Sequence, residues 1–123
     1  MQRTALISIV DDNDSVRGSL RAFFRSIGFE VETFASAEAF LASRSPRDPD
    51  CLILDVRMPG MSGLELQRRL AARQSRVPVI FITAHGDEEL RTRALDDGAA
   101  EYLFKPFSEQ ALLNAVQTAV GSM

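Results

Sequence analysis

Short apolar runs alternate with amphipathic stretches along the whole chain. Leu6 to Val10 is almost continuously apolar, the pattern of a central strand buried on both faces. From Asp14 to Ile27, Val16, Leu20, Phe23, Phe24 and Ile27 recur at helical spacing, and Gly28 supplies the stop. Glu30-Val31-Glu32-Thr33-Phe34 alternates polar with apolar, which suits an edge strand with one wet face. Ser36 caps a short helix over Ala37 to Ser43, and Pro46 and Pro49 mark the loop after it. Cys51 to Leu54 predicts a third strand. Ser62-Gly63-Leu64-Glu65 fits a capping box opening a helix through about Arg73. Pro78 to Ile82 predicts a fourth strand. Asp87-Glu88-Glu89 puts negative charge in the first turn of the next helix, which Gly98 ends. Tyr102-Leu103-Phe104 predicts a short fifth strand. Ser108 with Glu109 starts a last helix carrying Leu112, Leu113, Val116 and Val120.

Five strands alternating with five helices imply right-handed crossovers and a doubly wound α/β fold, a parallel sheet with helices on both faces. Ligands of such sheets bind beyond the carboxyl ends of the strands. That rule turns the strand-end residues into one group. The first strand ends at Asp11-Asp12, the third at Asp55, the fourth at Thr83 and the fifth at Lys105.

Length and composition narrow the setting. A chain of 123 residues predicts one domain, large enough for a real core. Apolar content of 46% and charged content of 25% fit a soluble globular protein. The net charge of -3 argues against a nucleic-acid grip in this segment. The single cysteine, Cys51, cannot form an internal disulfide and reads as a small buried hydrophobe. The first apolar run is too short to span a bilayer, and no signal peptide precedes it. The expectation is a cytoplasmic domain over residues 1–123 with no output domain within them.

The strand-end residues then acquire a chemistry. Three carboxylates at one edge repel one another and raise each other's pKa. A hard divalent cation such as Mg2+ resolves that conflict through oxygen ligands. A carboxylate can also attack phosphorus as a nucleophile, and the transferred group then needs its oxygens neutralised. Lys105 is the only lysine against thirteen arginines, and it offers a compact point charge where an arginine would offer a planar fork. The Thr83 hydroxyl can donate to a second oxygen. Each residue also has a plainer reading. Asp11-Asp12 can be a charge pair at a helix N-terminus, Thr83 a β-branched strand residue, and Lys105 a solvated charge before a proline.

Together these residues resemble the receiver domains of bacterial two-component response regulators, over essentially the whole chain. The motifs that carry the likeness are Ile9-Val10-Asp11-Asp12, Leu54-Asp55-Val56-Arg57-Met58-Pro59-Gly60, Thr83-Ala84 and Lys105-Pro106-Phe107. The resemblance implies a flavodoxin-like (βα)5 fold with strand order 2-1-3-4-5, which makes the alternating Glu30–Phe34 strand an edge. It implies Asp55 as phosphoacceptor for a sensor histidine kinase. Asp12, Asp55 and the backbone carbonyl of Arg57 would hold Mg2+, with Asp11 helping through water. Lys105 would pair first with Asp55 and then with the phosphoryl group, and a cis peptide would precede Pro106. Thr83 and Tyr102 would form the switch, Thr83 moving toward the phosphoryl group and Tyr102 rotating inward. Tyr102 also reads as an amphipathic edge-strand residue.

A finer likeness is to the FixJ-like branch, carried by Val10-Asp11-Asp12-Asn13, Gly28-Phe29, Phe34-Ala35-Ser36-Ala37 and Asp55 to Gly60. It implies phosphorylation-driven homodimerisation through the fourth helix and fifth strand. It also implies a C-terminal DNA-binding output domain in the parent protein. His85 and Arg57 flank the site; His85 reads either as a general base or as a solvent-facing loop residue.

Three rivals stand beside this. An aspartate-nucleophile phosphohydrolase would need an acid two residues after the nucleophile, where Arg57 stands. A flavin-binding module would want a Ser/Thr/Gly-rich phosphate cradle after the first strand, where Asp11 to Asp14 would repel phosphate. A metal-binding or interaction module without phosphorylation would keep the same acidic pocket.

Overall fold

The computed structural model describes residues 4–43, 48–84 and 88–121. Strands and helices alternate as β1 (Leu6–Val10), α1 (Asp14–Ser26), β2 (Glu30–Phe34), α2 (Ala37–Ala42), β3 (Cys51–Asp55), α3 (Gly63–Ala72), β4 (Val79–Thr83), α4 (Glu88–Asp96), β5 (Glu101–Phe104) and α5 (Glu109–Val120). All strand pairs are parallel, in the order β2-β1-β3-β4-β5. The doubly wound fold and its strand order are those expected, with β2 and β5 at the edges.

The sheet separates two apolar layers because successive strand residues face opposite sides. On one face Leu52, Leu54 and Phe81 pack with Ala37 of α2, Leu66 and Leu70 of α3 and Ala94 of α4. On the other, Ile7, Ile53 and Ile80 pack with Leu20 and Phe24 of α1 and Leu112 and Val116 of α5. Double coverage explains why β1, β3 and β4 are buried throughout and mostly apolar, whereas β2 keeps an exposed Glu30 and a half-buried Glu32. Cys51 is fully buried, and burial pushes its thiol up to about 12, with the Asp50 charge adding to the effect. It therefore stays a neutral thiol and packs as a small hydrophobe.

Helix starts follow the polar signals. Asn13, Ser36, Ser62 and Ser108 each accept a backbone N–H from three residues on. At α3 the Ser62 hydroxyl also meets the Glu65 carboxylate, at 3.4 Å. Several bounds differ from expectation by one residue. Pro78 precedes β4 because it has no N–H to give the ladder, so pairing opens at Val79 and extends to Thr83. Asp55 lies within β3, in register with Ile82. Ile27 and Ser43 act as caps following α1 and α2. The predicted loop residue Pro46 and first-turn residue Asp87 lie outside the described residues.

Candidate functional site

Parallel strands bring their carboxyl ends to one edge, and the strand order decides which ends are neighbours. β1 lies beside β3, so Asp11-Asp12 meets Asp55. β4 and β5 follow, bringing Thr83 and Lys105 alongside. Among the described residues, Asp11, Asp12 and Asp55 form a group whose ligand atoms all lie within 4.8 Å of one another. Asp11 and Asp55 are buried and Asp12 is exposed.

Asp11 is fully buried, and both its carboxylate oxygens are committed. Oδ1 accepts the backbone N–H of Asn13 at 2.9 Å, and Oδ2 pairs with Lys105 Nζ at 3.2 Å. Its carbonyl accepts from Arg17 Nη1 at 2.7 Å, and Arg17 also pairs with Asp14. Lys105 therefore reaches the cluster, but the ion pair it forms is with Asp11 and not with the expected Asp55. The reason is burial: a carboxylate shut away from water makes the stronger demand for a cationic donor. Asp55 feels Lys105 as a nearby charge. Its carboxyl is raised to about 6, first by burial and then by the Asp11 charge. Lys105 and the Arg57 backbone N–H pull in the other direction, and Asp12 adds a further upward push.

The remaining expected residues fall around this cluster. Thr83 is fully buried, and its carbonyl accepts the Lys105 N–H at 2.6 Å. The Lys105–Pro106 peptide is cis. Tyr102 is buried, its ring tilted against Phe81 at 5.8 Å and edge-to-face with Phe104 at 5.3 Å. The Arg57 side chain is exposed while its backbone faces Asp55. His85 lies outside the described residues.

Four supporting residues escaped the sequence reading. Gly63 packs under the end of β3: a Cβ there would overlap the Asp55 carbonyl oxygen, and its own N–H bonds Val56 O at 2.9 Å. A glycine at the first position of a helix, where better helix formers fit, was the available signal. Asn13 and Arg17 hold the loop after β1, and Glu38 holds the loop after β3 by accepting the Met61 N–H at 3.0 Å. A cavity of about 920 Å³ lies at the amino ends of β3 and β4, lined by Ser8, Glu32, Asp50 and Arg73 among others, and includes none of the acidic cluster.

Comparison with known proteins places this geometry in context. The response regulator receiver domain family matches residues 7–117. Nodulation protein W of Bradyrhizobium diazoefficiens is 48% identical over 115 residues, covering 94% of this chain and 51% of that protein. Transcriptional regulatory protein FixJ of Azorhizobium caulinodans is 43% identical over 121 residues, covering 98% of this chain and 57% of that protein. The chain thus spans about half the length of these curated relatives. A crystal structure of FixJ-N superposes with a TM-score of 0.89 at 37% identity, covering 99% of this chain and 98% of that one.

Proposed function

The chain belongs to the response regulator receiver domain family, and on that premise we propose that Asp55 accepts a phosphoryl group from a sensor histidine kinase. The observation that carries the proposal is the meeting of Asp55 with Asp11 and Asp12 within 4.8 Å, beside Lys105. Two-component signalling is the function of this family, and the chain is a signal receiver within it.

The chemistry follows from the residues. An ionised Asp55 oxygen attacks phosphorus, the P–N bond of a phosphohistidine breaks, and the imidazole leaves with the electron pair. The Lys105 ammonium and the Thr83 hydroxyl neutralise equatorial oxygens of the transferred group. The donor set fits Mg2+: all hard oxygens, in a cluster where burial first and then the Asp11 charge raise the Asp55 carboxyl. Asp12, Asp55 and the Arg57 carbonyl would hold it. Asp11 would act through water, since both its oxygens are already bonded. When bound, Mg2+ supplies the positive charge that lets carboxylates and phosphoryl oxygens share one site.

The downstream reading rests on the relatives. A regulator of transcription such as FixJ is about twice the length matched here, so the parent protein is proposed to carry a C-terminal DNA-binding output domain and to act in the cytoplasm. Among the described residues, no helix is long and apolar enough to cross a membrane. Phosphorylation is proposed to drive homodimerisation through α4 and β5, with Thr83 and Tyr102 as the switch. Tyr102→Ala then leaves phosphorylation intact but abolishes the phosphate-dependent dimer in sedimentation velocity; a mutant that still dimerises on phosphorylation contradicts the switch.

Intact mass after incubation with acetyl phosphate tests the proposal. Wild type gains one phosphoryl group with Mg2+ present, and Asp55→Asn gains none. An equal gain in the mutant would refute Asp55 as the acceptor.

A further inference from the structure

We propose that Glu38 is a positioning residue that latches the loop between β3 and α3, and through that loop sets the affinity of the acidic site for its divalent cation. This rests on the reading of Asp55, Asp12 and the Arg57 carbonyl as the cation's ligands.

The loop runs from Val56 to Ser62 and is the only covalent link between the end of β3 and α3. Both its ends are held by the body of the fold. At the start, Asp55 is paired with Ile82 in the sheet. At the far end, Gly63 N–H bonds Val56 O at 2.9 Å and Ser62 caps α3. The tip, Pro59-Gly60, is exposed. Glu38 reaches this tip from the first turn of α2. Its Oε2 accepts the Met61 N–H at 3.0 Å across 23 residues of sequence.

Two further observations fit a latch. Gly60 adopts a φ of 76°, and a Cβ built on it would overlap Glu38 Oε2, so the carboxylate lies directly against the turn. The Glu38 carboxyl is also held below its usual value, chiefly by the Met61 N–H and then by its own backbone N–H. The bond is formed with the charged group, as a charge-assisted hydrogen bond should be. A metal-ligating backbone carbonyl has no rotamer of its own, so its position is that of its loop. Groups behind the direct ligands commonly tune affinity in this way.

The test uses Mg2+ itself. In metal-free protein, Glu38→Ala makes the Met61 amide exchange with solvent roughly tenfold faster while β3 amides are unchanged. In Mg2+ titrations followed by NMR, the same variant raises the Mg2+ Kd by roughly three- to tenfold. Its phosphorylation by acetyl phosphate falls at low Mg2+ and recovers at saturating Mg2+, a split that general destabilisation would not produce. Glu38→Gln keeps an acceptor for Met61 and restores most of the affinity. A wild-type Kd in Glu38→Ala overturns the latch and leaves the receiver reading standing. Equal losses in Ala and Gln variants also overturn it, since they would assign the effect to charge alone. Wild-type protein that binds no Mg2+ at all would overturn the receiver reading and the latch with it.

Discussion

Asp55 is held in tension. Burial and two neighbouring carboxylates raise its carboxyl from an ordinary 3.8 to about 6, against the pull of Lys105 and one backbone N–H. Between those two values the folded chain retains a proton that the unfolded chain has released. Raising the pH through this window therefore destabilises the fold, and the penalty is fully present above it. The unscreened difference is about 3 kcal/mol, and solvent at the exposed Asp12 side reduces this to roughly 1–2 kcal/mol. In chelator, Asp55→Asn is accordingly more stable than wild type at pH 8 in urea denaturation, and the gain vanishes by about pH 4. A gain independent of pH would contradict this account of the strain. Most of the acidic group was legible in the sequence, because a carboxylate that ends an apolar run must emerge at a strand mouth. The partner of Lys105 was not legible. That choice depends on Asp11 being the more deeply buried acid, a property of packing rather than spacing. Gly63 was hidden for a similar reason: its role is the room it leaves beneath Asp55, and spacing does not reveal room.

At the scale of elements, three helices end by the same device. After α1, Gly28 N–H bonds Arg25 O and Phe29 N–H bonds Phe24 O; after α4, Gly98 and Ala99 repeat the pattern on Leu95 and Ala94. Both glycines have positive φ, the left-handed conformation this motif requires. After α3 the same bonds run from Gln74 to Ala71 and from Ser75 to Leu70, yet the left-handed residue is Gln74, with φ 60°. A side chain there costs roughly 1–2 kcal/mol, part of which glycine would return as unfolded-state entropy. Gln74→Gly is expected to raise stability by roughly 0.5–1 kcal/mol, seen as a higher urea midpoint with an unchanged slope. A lowered midpoint would contradict the strain. Starts were easier to read than stops, because Ser36, Ser62 and Ser108 announce themselves chemically. The end of α3 carries no glycine, so its boundary rested on periodicity alone.

At the scale of the molecule, periodicity established a doubly covered parallel sheet, while the strand order came from family resemblance. The order matters more for function. It makes β1 and β3 neighbours, and so converts two separated acidic motifs into one cluster of side chains within 4.8 Å. The same topology puts Thr83 at the end of β4 and Lys105 just after β5, so all the residues proposed to take part in phosphoryl transfer share one edge. The central claim is that a phosphoryl group arriving at this edge is bonded to Asp55 and to no other carboxylate. Reductive trapping tests it most directly. Wild-type protein is phosphorylated by acetyl phosphate with Mg2+, reduced with borohydride, digested, and mapped by mass spectrometry. Hydride converts an acyl phosphate to the alcohol as phosphate leaves, which marks the modified position permanently. The account predicts the mark at Asp55 alone, dependent on Mg2+. A mark at Asp11 or Asp12, or a phosphorylated chain with no reducible acyl phosphate, would contradict it.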